Sequence, residues 1–522
     1  IEIIRGPGSA LWGANAVNGV INIVTKDAAE TQGGLVVLGG GDQENFFNTL
    51  RYGGALSDDA FYRVYAKYFT RDQREFASGE KANDAWRMYQ TGFRIDWDLT
   101  IEDKLSIQAD AYDNRSDQTQ ENAFLFFPHR RVVNGRSDRE GGNVLLRWER
   151  EISETSDFHM QVFVEQVQDE DPTVVGEWRR LYDLDFHHRL QIGDRHEVVW
   201  GAGVRYWHDD IDNTRFISYH PEERTDFIYS AFVQDEVSLT EELSLILGAK
   251  FEFNNYTGFE FQPNIRAAWT PNDRQTLWAA IARAVRTPSR AEDDVHILNR
   301  VFPGRISLVL EGNQDFESED LMAYEIGYRH GFSENLFLDL ALFYNDYSDL
   351  RTIEVIRPRI ALRPFPWHFN IPAEARNNLK AETYGFEAVV NWQPKPWWQL
   401  EASYSFLEIN LDFHTRTPDF ITRESEGDTP EQQWVLQNYF QLPANLALDT
   451  TLRWVDRLPT LGVDDYFNLD VQLRWQPRDN LEFALVGQNL LESGRTEFAP
   501  TFVNTTPTEV ERNFYGKVTW RF

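Results

Sequence analysis

Apolar and polar residues alternate in short runs along much of this chain. In Phe61-Tyr62-Arg63-Val64-Tyr65-Ala66-Lys67-Tyr68, one face carries Tyr62, Val64, Ala66 and Tyr68 while the other carries Arg63, Tyr65 and Lys67. The stretch from Leu446 repeats the pattern, with Leu446, Leu448, Leu452 and Trp454 set against Asp449, Thr451 and Arg453. The last residues follow it too: Gly516, Val518, Trp520 and Phe522 face one way, and Tyr515, Lys517, Thr519 and Arg521 the other. A period of two predicts strands with one oily and one wet face. No run approaches the roughly 18 apolar residues of a membrane-spanning helix, and the mean hydropathy of −0.51 is the average that alternation leaves behind. The pattern excludes a helical membrane protein and leaves a barrel open, since a barrel's alternating strands average the hydropathy away.

Turn chemistry divides the alternating runs. Short polar connections are predicted at 56–60, 100–103, 153–157, 193–195, 240–242, 271–273, 332–335, 393–396, 442–445 and 477–480. Roughly ten tight turns on one side of an antiparallel barrel, with a free strand at each end, give about 22 strands. The other connections are longer, at 71–86, 115–138, 209–223, 285–317, 348–377, 410–428 and 493–510. In outer-membrane barrels the long loops lie outside and the short turns face the periplasm.

The opening residues read as a short strand, Ile1-Glu2-Ile3-Ile4-Arg5, stopped by Gly6-Pro7-Gly8, then a small-residue stretch with Trp12-Gly13, then a second strand over Val20-Ile21-Asn22-Ile23-Val24 behind Gly19. This wording closely resembles the end of the plug domain of TonB-dependent outer-membrane receptors, and Gly6, Pro7, Gly13 and Asn22 carry the match. Further along, Ala284-Val285-Arg286-Thr287-Pro288-Ser289 looks like that family's Phe-Arg-x-Pro motif, and Asn313-Gln314-Asp315-Phe316-Glu317-Ser318-Glu319 like a degraded Asn-Pro-x-Leu-x-Pro-Glu. Tyr324 to Arg329, Tyr384 to Glu387 and Gln488 to Leu491 follow in family order. The terminal Phe522 resembles the signal by which outer-membrane barrels engage their assembly machinery.

The resemblance implies an all-β transmembrane barrel of about 22 antiparallel strands, with residues 1–32 as the C-terminal remnant of a plug domain and residues 33–522 as the barrel. It implies a Gram-negative outer membrane and active uptake of a scarce nutrient, iron chelates being the commonest cargo, with cobalamin and oligosaccharides open. Neither a signal peptide nor a TonB box, through which the family engages the TonB complex, is found, so the chain reads as a truncated piece whose parent transports. In the family, plug arginines pair with barrel glutamates, which makes Arg5, Glu325 and Glu387 the expected latch between plug and wall.

For cargo, two aromatic and basic clusters stand out in the predicted outer loops: Phe124-Leu125-Phe126-Phe127-Pro128-His129-Arg130-Arg131 and Phe365-Pro366-Trp367-His368-Phe369. With Arg286, Arg290, Arg300 and Arg305 of the longest loop, they offer bidentate donors and ring faces to an anionic, aromatic chelate. The ligand candidates are thus Phe124, Phe126, Phe127, Arg130, Arg131, Arg286, Arg290, Trp367 and His368.

The remaining chemistry narrows the class. The chain has 522 residues and no cysteine, which excludes a disulfide scaffold and thiolate metal sites. His187 and His188 are adjacent on an alternating strand, face opposite sides and cannot chelate together; 208–213, with His208, Asp209, Asp210 and Asp212, reads as an acidic loop able to offer oxygen ligands to calcium. No zinc, P-loop, nucleophile-elbow or dinucleotide signature occurs, so no resident cofactor, metal or catalytic residue is expected. A net charge of −32 argues against nucleic acid as a partner and suits divalent bridges to lipopolysaccharide. Two other classes are weighed. A passive porin would need no plug motif, and a barrel enzyme would need a catalytic cluster on a smaller barrel.

Overall fold

A computed structural model describes all 522 residues except 363–366, 414–421 and 501–504, and omits the side chains of Arg423 and Glu424. Its wall is a closed barrel of 22 antiparallel strands. Strands adjacent in sequence pair in space, and the ring closes where Asn513–Arg521 pairs with both Leu481–Gln488 and Gly33–Gly41. Full closure leaves no sheet edge in the wall, which is the requirement for backbone crossing hydrocarbon. At the seam the Phe522 carbonyl accepts from the Gly34 N–H at 2.6 Å, and the Phe522 ring lies where a Cβ on Gly34 would sit.

The two-residue period sorts the side chains. Tyr62, Val64, Phe93, Leu184, Trp200, Phe251, Ile265, Ile326, Leu342 and Leu473 point outward, and those with the largest exposed area form an apolar surface that only lipid can cover. Each predicted short turn joins two wall strands, from the hairpin around Ser57 and Ala60 to the one around Arg478 and Leu481.

Several loop expectations are corrected, among them 348–377, where Leu336–Val355 and His368–Lys395 stay paired with Thr352 opposite Arg376. Instead of a loop over 115–138, Asp103–Ala123 and Arg130–Ser153 continue as a paired ladder, with Arg115 opposite Asp138 and Asp117 opposite Arg136. Polar residues occupy both faces there, so apolar alternation vanishes while cross-strand ion pairs and backbone bonds keep the strands together. Likewise His208 to Asp212 end the strand His196–Asp212 rather than forming an acidic loop. Alternation turns Asp209 inward and leaves Asp210 and Asp212 exposed, so these carboxylates do not converge on one cation.

At the long-loop end, short strands outside the wall extend the sheet. Ile217–Tyr219 pairs with Val295–Phe302, which pairs with Ile306–Glu311, which in turn runs parallel to Phe369 through Glu374 at the start of His368–Lys395. Inside the barrel, Glu2–Arg5 and Gly19–Asn22 form a two-stranded hairpin flanking the one-turn helix Ser9–Trp12.

Candidate functional site

The segment 5–31 touches residues of the inner wall. Arg5 Nη1 lies 2.8 Å from Glu387 Oε2, and its Nη2 lies 3.7 Å from Asp339 Oδ2. Of the expected trio, Glu325 does something different. Its carboxylate packs on the backbone of Gly6, where any Cβ would collide with it and where φ is +69°. Asp339, absent from the sequence reading, completes the cluster and also receives Arg329 at 3.3 Å. The alternation Leu338-Asp339-Leu340 was the signal for it, since it places a lone carboxylate on the luminal face. Arg5 and Glu387 are 42% and 38% exposed, so their pair has the strength of a surface ion pair, about 1 kcal/mol or less.

Deeper contacts hold the rest of the segment. Pro7 is buried. The Ser9 hydroxyl donates to the Arg283 carbonyl at 2.7 Å, and Lys250 Nζ donates to the Leu11 carbonyl at 2.9 Å. Gly13, at φ +86°, lets the chain pass against Glu252, whose Oε2 accepts from the Ala14 N–H at 2.6 Å. Asn22 bonds within the hairpin, to Glu2 at 2.8 Å. Across the lumen, Arg94 gathers Asp27, Asp96 and Thr25, and Arg63 donates to the Lys26 carbonyl at 2.8 Å.

Asn15 reaches the loop end. Its N–H donates to the Val285 carbonyl at 2.8 Å, and its side chain exchanges two bonds with Thr287. Beyond Thr287, Ser289 caps the one-turn helix Arg290–Asp293 in a full capping box with Glu292. Glu292 also takes Arg351 at 2.7 Å and Arg286 at 3.2 Å. Burial pushes the Glu292 carboxyl up, but the Ser289 hydroxyl, Arg286, the Ser289 N–H and Arg351 outweigh it and hold the group below its ordinary value.

The two arginines expected to grip cargo are engaged with protein carboxylates. Arg286 pairs with Glu319 as well as Glu292. Arg290 is buried among Asp209, Asp294, the carbonyls of Pro221 and Glu222, and the Tyr219 ring. Arg224 joins the same network through Asp226 at 2.9 Å and Asp294 at 3.1 Å, with Tyr256 stacked on it. Burial and the Asp226 carboxylate push the Tyr256 phenol up, so it stays a donor to Asp226.

Both aromatic clusters lie on the loop crest, each against the hairpin 295–311. Phe124 packs edge-on against Phe216 with Arg131 over its ring at 4.9 Å, while Leu125 is buried with Val301 and Ala123. Phe126 and Phe127 are 59% and 85% exposed. Arg130, largely exposed, reaches Glu121 beside a cleft of about 190 Å³ that Arg300 also lines. Arg305 stacks on the exposed Trp367 at 5.5 Å. His368 is buried, away from any cargo surface, and Phe365 and Pro366 lie outside the described residues.

Comparison with known proteins bears on this geometry. Residues 30–490 match the family described as TonB dependent receptor-like, beta-barrel. The chain is 25% identical to an iron-regulated outer membrane virulence protein of Vibrio cholerae serotype O1 over 78% of its own length and 62% of the relative's. It is 24% identical to the ferric enterobactin receptor of Pseudomonas aeruginosa over 67% of its length and 55% of that receptor's. It therefore spans less than two thirds of these curated relatives. Its fold superposes on the crystal structure of the siderophore receptor PirA from Acinetobacter baumannii with a TM-score of 0.78 and 15% identity, covering 100% of this chain and 84% of that one. With a family match across most of its length and a closed 22-strand wall banded by exposed apolar side chains, this chain belongs to the TonB-dependent receptor family of outer-membrane β-barrels.

Proposed function

We propose that the protein binds an anionic, aromatic metal chelate of the ferric siderophore class at its long-loop end and imports it in a TonB-dependent manner. The observation that carries this reading is the crest, where Phe126 and Phe127 stand exposed next to Arg130 and Arg131, Arg130 and Arg300 line one cleft, and the exposed Trp367 stacks with Arg305. Ring faces and guanidinium groups together suit catecholate or carboxylate chelators, whose catechol rings and carboxylate groups are planar and negatively charged. Arg286 and Arg290 support the loop in this reading, because they are withdrawn from solvent into carboxylate pairs, whereas Arg130, though paired with Glu121, stays 74% exposed. The names of the relatives, an iron-regulated protein and a ferric enterobactin receptor, point toward the same cargo class.

In this account residues 1–32 are the end of a plug and residues 33–522 the barrel. Cargo at the crest acts on the loop that Asn15 holds through Val285 and Thr287, and the Arg5–Glu387 pair is a latch weak enough to break when TonB pulls. Assembly proceeds through the terminal strand that ends at Phe522, and acidic surface groups bridge to lipopolysaccharide through divalent cations. Equilibrium binding of ferric catecholates, ferric hydroxamates, cobalamin and oligosaccharides to the purified protein, followed by tryptophan quenching, tests the cargo assignment. Saturable binding of a ferric chelate alone supports it, and binding only of cobalamin or a sugar replaces it.

A further inference from the structure

We infer that His159, Asp185 and His187 form a site for a divalent transition-metal ion in the luminal wall of the barrel. Sequence spacing conceals the group, because only two of its members share a strand. Asp185 and His187 are two apart on Gly176–Ile192, so alternation aims both at the lumen, and His159 on Ser156–Glu170 is the register partner of His187. His187 Nε2 lies 2.5 Å from Asp185 Oδ1, and the His159 and His187 ring centroids are 4.6 Å apart. One ligand atom from each of the three residues falls within 4.8 Å of the other two, close enough to share one ion.

The surroundings leave room for these side chains. On the neighbouring strand the register partners of His187 and Asp185 are both glycine, Gly201 and Gly203. A Cβ at Gly201 would come within 3.0 Å of His187 Cδ2, and one at Gly203 within 3.3 Å of Asp185 Oδ2. The Phe232 ring closes another side of His187, edge-on at 4.9 Å. Two imidazoles and one carboxylate are a donor set for zinc, cobalt, nickel or copper rather than for magnesium or calcium, and three protein ligands leave coordination positions open to luminal water. The site lies near the short-turn end of the wall, on the opposite half of the lumen from the loop crest. It therefore stands whatever the cargo is. His188, one residue on, faces outward, held by Trp200 Nε1 at 3.0 Å and the Ser156 hydroxyl at 2.9 Å, and serves as an internal control.

The test uses the whole chain, folded in detergent, with folding followed by its heat-modifiable electrophoretic mobility. Co²⁺ is titrated against visible absorption, and Cu²⁺ loaded at one equivalent is read by pulsed EPR for coordinated imidazole nitrogens. The expected result is one saturable site with two imidazoles, weakened at least about 100-fold by His187→Ala or Asp185→Asn, more than loss of an outer-shell partner costs, and unaffected by His188→Ala. His159→Gln provides the same reading should His187→Ala fail to fold. Absence of saturable binding, a spectrum with fewer than two imidazoles, or affinity unchanged in His159→Gln would each overturn the inference.

Discussion

Asn15 and Thr287 hold each other by a reciprocal pair of hydrogen bonds: Asn15 Nδ2 donates to the Thr287 hydroxyl at 3.3 Å, and the Thr287 N–H donates to Asn15 Oδ1 at 3.1 Å. Asn15 sits at φ 73°, a region asparagine tolerates better than most residues. The contact joins the tip of the luminal segment to the loop carrying the Ser289 capping box. Asn15→Gly removes both side-chain bonds without adding backbone strain. It is expected to weaken the junction by about 1–3 kcal/mol, two ordinary hydrogen bonds. Amide exchange of residues 287–294 checks this and should accelerate while exchange in the wall strands stays the same.

At Arg5 and Gly6 the luminal segment is fixed by shape more than by charge. Arg5→Ala or Glu387→Gln should lower the unfolding free energy measured in urea by no more than about 1 kcal/mol, because the pair is wet on both sides. Gly6→Ala should cost more, about 1–3 kcal/mol, since it places a Cβ in the Glu325 carboxylate at a positive φ. The ranking of these variants in denaturant is the readout, and equal effects would contradict the geometry.

Loop order should depend on pH through Glu292. Its native pKa lies below the ordinary 4.5, so the group stabilises the folded loop fully above that value, and the contribution is lost as pH falls through the lower native one. Limited proteolysis of the 286–294 loop should be flat from neutral pH to about pH 5 and rise below it. Glu292→Gln should remove the dependence. Arg290→Met should open the loop at every pH, since it strands Asp209 and leaves Asp294 with Arg224 alone, a loss on the order of 3–5 kcal/mol.

At the crest, Arg130→Ala with Arg131→Ala should weaken ferric-chelate binding at least about tenfold, the loss of roughly 1.4 kcal/mol. Phe127→Ala should act in the same direction, and His368→Ala should act only through folding, because His368 is buried. Unchanged affinity in the double arginine variant would remove the crest from the account.

The strands and tight turns were legible in the sequence because lipid on one side and water on the other impose a period of two, which Tyr62, Val64 and Ala66 display openly. The paired ladder from Arg115 to Asp138 was not, since polar residues on both faces erase that contrast and leave only cross-strand charge pairs. The proximity of Arg5 and Glu387 could be expected from motif resemblance, whereas Glu325 against Gly6 depends on backbone approach and Asp339 on register, neither of which a motif encodes. The engagement of Arg290 by Asp209 joins residues 81 positions apart, and His159 meets His187 only through strand pairing. Those contacts are properties of the sheet rather than of any local stretch.

Energised import is read in cellular uptake. Bacteria expressing the protein from its complete gene, with and without a functional TonB, would be supplied with radiolabelled ferric siderophores, cobalamin and oligosaccharides. The account predicts saturable accumulation of a ferric chelate that disappears without TonB. Accumulation that persists without TonB and falls with solute size would contradict it and make the protein a passive pore.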